Sequence, residues 1–294
     1  MVSIVTINYN GQADTCEMIE SLAQHENYPY EIIVVDNASR GNDAEIIQNK
    51  HPEVTVISSP ENLGFAGGCN LGTRQAKGDY ILYLNNDILI DGPFLKALVD
   101  RIDSNPKIGL VSGKILFEHH RDIIQYAGYS EMKMIRIKSH PFGAGEIDKG
   151  QYDKACPTGS AHGACMLTSR EVINKAGLMT EIYFLFYEEI DWSLQIRRAG
   201  YEIWFEPAAH IYHKEGMSIN KGTPLRNYYL ARNRVLFSRR NNKGLFRFAS
   251  CLYLTAIAYP INVVRSLLSA YWSNIKAISK GQWEGLTMRK DCEL

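Results

Sequence analysis

Short apolar runs alternate with amphipathic stretches along the first 115 residues of the chain. The runs are rich in β-branched and aromatic residues and almost continuously apolar, as is typical of parallel strands covered on both faces. Strands are predicted at residues 2–7, 31–36, 54–58, 80–85 and 108–113, and helices at 15–24, 43–50, 66–76 and 93–104. This alternation predicts right-handed crossovers and a doubly wound α/β sheet.

The apolar pattern weakens after residue 117. Residues 118–158 are interpreted as irregular chain with room for a hairpin, and they precede predicted strands at 163–169 and 202–205 and predicted helices at 170–176 and 189–199. From Phe248 to Val264 the chain has 17 residues without charge, interrupted by Pro260. We expect this run to be too short and too interrupted for a membrane span, which needs about 20 apolar residues.

Charge divides the chain at residue 213. The net charge is zero, but residues 1–213 hold 18 Lys and Arg against 28 Asp and Glu, whereas residues 214–294 hold 14 against 4. No acidic residue occurs from 216 to 283. This asymmetry predicts an acidic catalytic or ligand-binding body, residues 1–213, followed by a basic segment, residues 214–294, that faces an anionic partner.

Cysteine usage and the N-terminus both indicate the cytosol. The six cysteines are scattered, with no C-x-x-C pair, which predicts reduced thiols rather than a disulfide framework. The first ten residues show no basic stretch followed by a long apolar one, so no secretory signal is expected.

Polar residues close several of the predicted strands. Ligands of a doubly wound sheet bind beyond the carboxyl ends of its strands, so these positions are candidates for binding. They are Asn8, Tyr9 and Asn10 after the first strand, Asp36 after the second, and Asn86 and Asp87 after the fourth. The Asp87 carboxylate is a suitable ligand for a hard cation, although a polar turn explains each of these motifs equally well.

A glycine-rich loop from Asn62 to Asn70 runs into a predicted helix. Its backbone N–H groups could meet an anion, or the glycines could simply permit positive φ angles. Further along, Glu188, Glu189 and Asp191 open a predicted helix after an aromatic run. The helix dipole explains acids at a helix start, but crowded carboxylates beside Phe and Tyr also predict the raised pKa of a general base.

The order of these motifs resembles family 2 glycosyltransferases of the GT-A fold, most closely the rhamnosyltransferase-like branch that builds bacterial surface polysaccharides. The motifs are VTINYN, VVDNAS, NLGFAGGCN, LNND, FLFYEEIDWSLQIRRAG and YHK, and they extend over about residues 1–240. The resemblance implies a Rossmann-like, mostly parallel central sheet with helices on both faces. It also implies nucleotide-sugar binding by residues 1–115 and acceptor binding and catalysis by residues 116–213.

By this resemblance, one set of residues holds the nucleotide-sugar: Asn8, Tyr9, Asn10, Asp36, Asn62, Gly64, Ala66, Asn70 and Asn86. Asp87 takes the metal-binding place of the family's D-x-D motif, and Asn85 replaces the first acid of that motif. His213, which follows the last predicted strand, could coordinate the implied Mg²⁺ or Mn²⁺ or contact phosphate, although a lone histidine is more often structural. One fewer negative charge predicts weaker binding of that ion.

The family's E-D pair appears here as Glu188-Glu189, so the resemblance implies that Glu189 is the catalytic base and that Asp191 orients the site. Glu189 would remove the proton of an acceptor hydroxyl as its oxygen attacks the anomeric carbon, in a single inverting displacement. The implied donor is a dTDP- or UDP-sugar, with rhamnose as one candidate. The implied acceptor is a growing glycan, linked to polyprenol.

Seven Lys and Arg residues lie among aromatic residues between Arg226 and Arg247, next to the uncharged run. This combination predicts helices that lie on an anionic membrane surface, although ordinary packing against the catalytic body would also explain them. The expected location is therefore the cytoplasm, peripheral to the inner face of the cell membrane.

Two other functional classes agree less well with the sequence. A nicotinamide-dependent oxidoreductase would need the glycine triad G-x-G-x-x-G after its first strand, and only Gly11 is present there. A nucleic-acid-binding protein could use the basic segment, but the acidic body and the apolar content of that segment argue against it. No nucleic-acid partner is expected.

Overall fold

The computed structural model describes residues 1–214, 222–268 and 272–289. Cys292 and part of the predicted basic segment, at 215–221, 269–271 and 290–294, lie outside the described residues.

A ten-stranded sheet forms the centre of the acidic body, residues 1–213. Its strands are β1 (Val2–Asn8), β2 (Tyr30–Asp36), β3 (Thr55–Ser58), β4 (Tyr80–Leu84), β5 (Ile88–Leu89), β6 (Ile108–Phe117), β7 (His120–Tyr126), β8 (Cys156–Pro157), β9 (Cys165–Ser169) and β10 (Glu202–His213). The order along the main path is β3-β2-β1-β4-β9-β6-β10-β5. β7 pairs with β6, which confirms a hairpin after residue 117, and β8 pairs with β10.

The sheet is mixed rather than uniformly parallel. β3, β2, β1 and β4 are parallel to one another, as the alternating pattern predicts. β9 is then inserted antiparallel to both β4 and β6, while β6 and β10 are again parallel. The carboxyl ends of β1, β2 and β4 therefore meet at one edge, next to the start of β9.

Ten α-helices accompany the sheet in the described residues. They are α1 (Gln12–His25), α2 (Asp43–Lys50), α3 (Gly64–Gln75), α4 (Leu95–Asp103), α5 (Arg170–Ala176), α6 (Glu188–Arg198), α7 (Pro224–Asn241), α8 (Gly244–Tyr253), α9 (Tyr259–Leu268) and α10 (Trp272–Thr287). Adjacent residues of β1 show how helices α1–α6 cover the two faces of the sheet. Ile4 packs into a core with α1 and α4, whereas Val5 packs into a second core with α3 and α6. The sheet is thus buried on both faces, which explains its continuous apolar strands.

Two predicted helices have the observed bounds, and one strand is much longer than predicted. The helices predicted at 43–50 and 170–176 have the same bounds in the structure. The strand predicted at 202–205 continues to His213 as β10. The register of β10 against β6 shifts between Glu206 and His210, around Pro207, which cannot donate to a ladder hydrogen bond. Pairing resumes beyond this irregularity and carries His213 to the edge of the sheet near Asp87.

The C-terminal segment is helical, as predicted. α8 and α9 are joined by a π-helical turn, Leu254–Ala258, into one helix of 25 residues, Gly244–Leu268. Pro260 follows this turn and lacks the N–H group that a regular helix would use there, which accounts for the irregular winding. By length and composition this helix could cross a membrane, which corrects the expectation based on the shorter uncharged run.

The cations of α7 do not form the outward-facing basic surface that the sequence predicts. Of the seven Lys and Arg residues from Arg226 to Arg247, only Lys243 is exposed. Arg232 donates to the Tyr183 carbonyl, and Arg239 donates to the carbonyls of Gly285 and Met288. These guanidinium groups hold other segments of the protein, because each offers several donors to carbonyl oxygens that helices and loops leave unpaired.

Candidate active site

Asn8 and Asp36 lie side by side where β1 and β2 end. The Asn8 side chain is fully buried; its Nδ2 donates to Asp36 Oδ1 at 2.8 Å, and its Oδ1 accepts from the Thr15 hydroxyl at 2.8 Å. The Ser39 hydroxyl also donates to Asp36 Oδ1, at 2.5 Å. Asn8 is therefore saturated by protein partners and fixes the direction of the Asp36 carboxylate. Contact of either side chain with a nucleotide stays a prediction.

Tyr9, Asn10 and Asn86 lie around the same strand end. Tyr9 is exposed, and Asn10 adopts a positive φ of 53° while its Oδ1 accepts from the Arg40 backbone N–H. The amide of Asn86 donates to the Thr15 hydroxyl at 3.0 Å. The structure brings these residues together with Asp36, and the exposed Tyr9 ring is the apolar surface among them.

The glycine-rich loop is built around Asn37 and Asn62. Asn37 donates to Asn62 Oδ1 at 3.1 Å and to the carbonyl of Gly64, while its own Oδ1 accepts from the backbone of Leu63. Gly64 has a φ of 70°, and any side chain there would overlap the carbonyl of Phe184. Glycine is thus required at this position both for conformation and for close approach.

Ala66 and Asn70 belong to the buried side of α3. Ala66 is 1% exposed, and the Asn70 amide donates to the Met179 carbonyl and to Glu181 Oε1 at 2.7 Å. Ala66 therefore packs in the core, and Asn70 connects α3 to residues 179 and 181. The Asn70 amide is thus already engaged within the protein. Their predicted part in nucleotide binding stays a prediction.

Asp87 and His213 form the polar pair at the centre of the sheet edge. Asp87 Oδ1 lies 3.1 Å from His213 Nε2, and both side chains are about nine-tenths buried. Although burial works to raise it, the pKa of Asp87 is lowered by its hydrogen bond and charge interaction with His213. On the other side of the imidazole, Nδ1 lies 2.8 Å from Gln125 Oε1. This contact fixes the ring with its Nδ1–H toward Gln125 and its Nε2 toward Asp87.

A divalent ion can be tested against these groups. In the described parts of the chain no three His, Cys, Asp or Glu side chains cluster as ligands. However, Mg²⁺ is commonly held by one or two protein groups together with substrate phosphates. Asp87 Oδ1 and His213 Nε2 are only 3.1 Å apart and both side chains are about nine-tenths buried, so a single ion could contact both groups. Asp87 and His213 are therefore the residues that would hold the ion when a diphosphate supplies the remaining oxygens.

Glu188 and Glu189 begin α6 as a pair of carboxylates, of which Glu188 is buried and Glu189 is partly exposed. Glu188 is 4% exposed, and its Oε2 has no hydrogen-bond partner. Burial and the charge of Glu189 raise the pKa of Glu188 above its ordinary value, and burial likewise raises the pKa of Glu189. A glutamate whose pKa is raised in this way takes up a proton more readily than a surface carboxylate. That property suits Glu189 to general-base chemistry near neutral pH.

Asp191, one turn further along α6, has a different environment. Its Oδ1 accepts from the Tyr183 hydroxyl at 2.9 Å and from the Asn241 amide at 2.5 Å, and its Oδ2 lies 3.5 Å from Arg240. Asp191 is 3% exposed and is engaged on both oxygens. It therefore anchors α6 to α7, which is compatible with an orienting part and not with proton transfer.

The segment 162–164 joins the Asp87–His213 pair to the two glutamates. The backbone N–H of Asn85 donates to the Ala164 carbonyl, and the His162 ring lies edge-on to the His213 ring with centroids 6.3 Å apart. Gly163 faces Glu189, because a Cβ on this glycine would lie 3.8 Å from Glu189 Cγ. The metal-ligand candidates and the candidate base thus line one continuous surface.

Sequence reasoning missed three residues of this surface: Gln125, Tyr129 and His162. The Tyr129 and His162 rings are stacked, with centroids 6.3 Å apart. Burial, reinforced by the nearby His213, lowers the pKa of His162 to about 3, so its imidazole is neutral at physiological pH. Gln125 and Tyr129 lie within residues 118–158, where the sequence has no apolar periodicity. The sequence signal that could have found them is the density of polar and aromatic residues in that stretch.

Residues 3–177 of the chain match the family described as glycosyl transferase family 2. Among curated proteins, the chain is 26% identical over 252 residues to a low-salt glycan biosynthesis hexosyltransferase, Agl10, of Haloferax volcanii, covering 81% of this chain and 75% of that protein. It is 20% identical over 243 residues to an N-acetylglucosaminyl-diphospho-decaprenol L-rhamnosyltransferase of Mycobacterium tuberculosis, covering 75% of this chain and 78% of the relative.

Among solved structures, the fold is similar to the mannosyltransferase PcManGT from Pyrobaculum calidifontis in complex with GDP-Man and Mn²⁺. The TM-score is 0.59 at 16% sequence identity, and the match covers 97% of this chain and 87% of that one. At this identity the likeness concerns the fold alone. It confirms the expected GT-A architecture around the surface that carries Asp87, His213 and Glu189.

Proposed function

The chain belongs to glycosyl transferase family 2, and we propose that it transfers a sugar from a nucleoside-diphosphate donor to a hydroxyl group of a lipid-linked glycan, with inversion at the anomeric carbon. It is a glycosyltransferase of the GT-A fold, which favours sugar transfer over the hydride transfer of a dehydrogenase. The observation that carries the mechanism is the continuous surface that joins Asp87 and His213 to Glu189 through Gly163.

The donor end of the proposed site is the carboxyl edge of β1, β2 and β4. Asp36, held by Asn8 and Ser39, faces this edge and is suited to accept hydrogen bonds from ribose hydroxyls. Asp87 and His213 would hold Mg²⁺ or Mn²⁺ against the diphosphate, and the bound ion would neutralise the charge of the departing nucleoside diphosphate. The donor we propose is a UDP- or dTDP-sugar, with rhamnose as one candidate.

The acceptor end of the proposed site is the face of Glu189 next to Gly163. Glu189 accepts the proton of the acceptor hydroxyl while the hydroxyl oxygen forms its bond to the anomeric carbon. The bond from that carbon to the diphosphate oxygen breaks in the same displacement, and its electron pair leaves with the nucleoside diphosphate. Glu189 ends protonated, and the configuration of the anomeric carbon is inverted. Neutral His162 and Tyr129 border this face and offer an aromatic surface for a sugar ring.

The helix from Gly244 to Leu268 supports attachment to a membrane surface. Its exposed face carries large apolar side chains at spacings of three and four residues within each half, namely Leu245, Phe248 and Leu252 followed by Ile261, Val264 and Leu268. The opposite stripe, Ser250, Leu254 and Ala258, packs against the protein. Side contacts with α7 and α10 extend as far as Tyr259, whose hydroxyl lies 2.9 Å from that of Ser279. Because side chains of α7 and α10 hold one side of this helix, we expect the helix to lie on a bilayer rather than to cross it.

The membrane we propose is anionic, and the acceptor is carried by a polyprenol within it. Among the described residues from Lys243 onward, the exposed cations are Lys243, Arg265, Lys276, Lys280 and Arg289. Trp272 and Trp283 are also exposed on α10, and tryptophan is favoured at the boundary between lipid and water. The proposed location is therefore the cytoplasmic face of the cell membrane, with the enzyme attached peripherally.

The donor can be tested by thermal stabilisation of the full chain with UDP- and dTDP-sugars, each with and without Mn²⁺. A ligand at 100 times its dissociation constant stabilises the folded state by about 2.7 kcal/mol, which raises the melting temperature. We expect at least one nucleotide-sugar to do so more strongly with Mn²⁺, and the corresponding sugar alone to have no effect. Absence of stabilisation by any nucleotide-sugar would contradict the proposal.

A further inference from the structure

The loop that precedes the two glutamates is strained. Phe184, Phe186 and Tyr187 have φ angles of 64°, 67° and 80°, although none of them is glycine. Bulky residues rarely adopt positive φ, and they retain it only where the surroundings hold them there. Tyr187 is the residue that caps α6, so the conformation of this loop determines how Glu188 and Glu189 leave the end of the helix.

Two adjacent residues of α7 hold this loop through its carbonyl groups. Asn233 is fully buried, and its Nδ2 donates to the carbonyls of Tyr183, Leu185 and Phe186 at 3.0, 2.7 and 2.9 Å. Arg232, 7% exposed, donates to the Tyr183 carbonyl at 2.5 Å and, through Nε, to the Asn233 side-chain oxygen at 2.9 Å. Every donor of the Asn233 amide is therefore directed at the strained loop.

The other side of the loop is closed by the glycine-rich segment. The backbone N–H of Phe65 donates to the Phe184 carbonyl at 2.8 Å, and the carbonyl approaches Gly64 so closely that a Cβ there would overlap it. The Phe184 ring stacks on Tyr229 of α7, with centroids 5.2 Å apart. The loop is consequently held between the nucleotide side of the catalytic body and α7.

We propose that Asn233 and Arg232 are positioning residues that hold Glu188 and Glu189 in register with the Asp87–His213 pair. Neither residue touches the reacting groups; both act through the backbone of residues 182–187. The inference rests on the proposed function for the assignment of Glu189 as base. It makes α7 part of the catalytic apparatus, in addition to its place beside the membrane-facing helix.

The test uses Asn233→Leu and Asn233→Asp in the full chain, with Ser238→Ala as the matched control. Aspartate nearly preserves the volume of asparagine, and leucine keeps its branching at Cγ although it is larger; both remove the amide donors. Ser238 lies one turn further along α7, is also fully buried, and donates to the Ser250 hydroxyl rather than to the loop. Arg232→Lys serves as the milder change, because it keeps the charge and loses the forked donor geometry.

The first measurement is hydrogen exchange followed by mass spectrometry. We expect the amides of residues 182–189 to exchange at least about tenfold faster in both Asn233 variants, while exchange in β1 and β4 stays unchanged. Ser238→Ala should not accelerate exchange in 182–189 selectively. Exchange that rises equally throughout the protein, or does not rise in 182–189, would overturn the proposal. This result does not depend on whether Glu189 is the base.

The second measurement is the hydrolysis of the UDP- or dTDP-sugar that stabilises the native protein most. Displacement of a reacting group by about 1 Å costs on the order of 100-fold in rate, so kcat of both Asn233 variants should fall by about 10- to 100-fold. KM for the nucleotide-sugar should change by less than about twofold, and Arg232→Lys should lie between native and Asn233→Leu. A parallel loss in Ser238→Ala, or a rise in KM with kcat unchanged, would contradict a positioning role. Should Glu189→Gln prove fully active, the base assignment would fail while the exchange result still reports on the loop.

Discussion

His213 Nε2 lies 3.1 Å from Asp87 Oδ1, although the two residues come from strands that are far apart in the sequence. The contact depends on the long β10 strand, which carries His213 past the Pro207 irregularity to the edge where β4 ends. Gln125 then fixes the opposite nitrogen of the ring at 2.8 Å. Gln125 thus orients the ring through Nδ1, as the supporting partner of a metal-ligating imidazole does, and leaves Nε2 directed at Asp87.

The first prediction concerns the ion at this pair. Asp87→Ala removes the only carboxylate of the pair, so added Mn²⁺ should no longer strengthen binding of UDP or dTDP, measured by titration calorimetry. Excess chelator should weaken nucleotide binding by the native protein to the same level. Asp91→Asn is the matched control, since Asp91 contacts Tyr212 and His210 at the neighbouring surface but not His213. Equal Mn²⁺ dependence in native protein and Asp87→Ala would remove Asp87 from the metal site.

The second prediction concerns the base. Glu189→Gln keeps the shape of the side chain but cannot accept the acceptor proton, so turnover should fall by about 10²- to 10⁴-fold. Binding of the nucleotide-sugar should change little, because Glu189, next to Gly163, is proposed to face the acceptor rather than the donor. Glu171→Gln, an exposed position on α5, serves as the control. Wild-type turnover in Glu189→Gln would show that another group accepts the proton.

The third prediction concerns stability and pH. Burial and the charge of Glu189 raise the pKa of Glu188 in the folded state above its ordinary value of 4.5. Above pH 4.5, the folded protein therefore binds more protons at this residue than the unfolded chain does. The contribution of Glu188 to the free energy of unfolding therefore falls as pH rises through the interval from 4.5 up to the raised pKa. A shift of one unit in the pKa between the unfolded and folded states changes the free energy of unfolding by about 1.4 kcal/mol.

Glu188→Gln stays neutral, so its free energy of unfolding relative to the native protein should improve by at least about 1.4 kcal/mol between pH 4.5 and pH 8. Denaturant unfolding at the two pH values measures this difference, and any constant cost of the new amide cancels between them. Glu171→Gln should show no such change. A relative stability that is independent of pH would mean that Glu188 titrates normally.

Local regularities explain which parts of the fold were predictable. The parallel half of the sheet follows from continuous apolar strands that alternate with helices, and α2 and α5 have the predicted bounds. The antiparallel insertion of β9 between β4 and β6 was not predictable, because no local pattern specifies which distant strands pair. β10 was predicted too short since Pro207 interrupts its pattern, although its pairing resumes beyond that point.

The candidate site shows the same division. Asp87, Glu189 and Asp36 lie at ends of strands or helices, where sequence motifs are informative. Asn233 and Arg232 could not be found in this way, because their partners are backbone carbonyls of a loop about 50 residues earlier in the chain. Charge counting also misjudged α7, since a run of arginines gives no indication of whether their guanidinium groups face solvent or carbonyl oxygens.

The last prediction concerns the membrane, and the structure changes which residues test it. The arginines of α7 hold internal segments, so their replacement would damage the fold rather than report on lipid binding. The exposed face of α8 and α9 offers cleaner substitutions. The full chain should co-sediment with vesicles that contain anionic phosphatidylserine or phosphatidylglycerol, and less with neutral phosphatidylcholine vesicles.

Phe248→Ser with Leu252→Ser should abolish most of this binding, because the two side chains lie on the exposed apolar face, are 65% and 55% exposed, and would be buried in the lipid interface. Burial of a large apolar side chain contributes about 1.5–3 kcal/mol, so two such losses should weaken binding by at least about 100-fold. Charge reversal at the exposed Lys243 and Lys280 should weaken binding mainly at low salt, since each cation near the surface contributes roughly 1 kcal/mol that salt screens.

Ile147→Ser, an exposed apolar position on the catalytic body, is the control and should bind like the native protein. Native protein that stays in the supernatant with anionic vesicles at low salt would contradict membrane attachment through this helix, and would favour a soluble glycan over a lipid-linked acceptor.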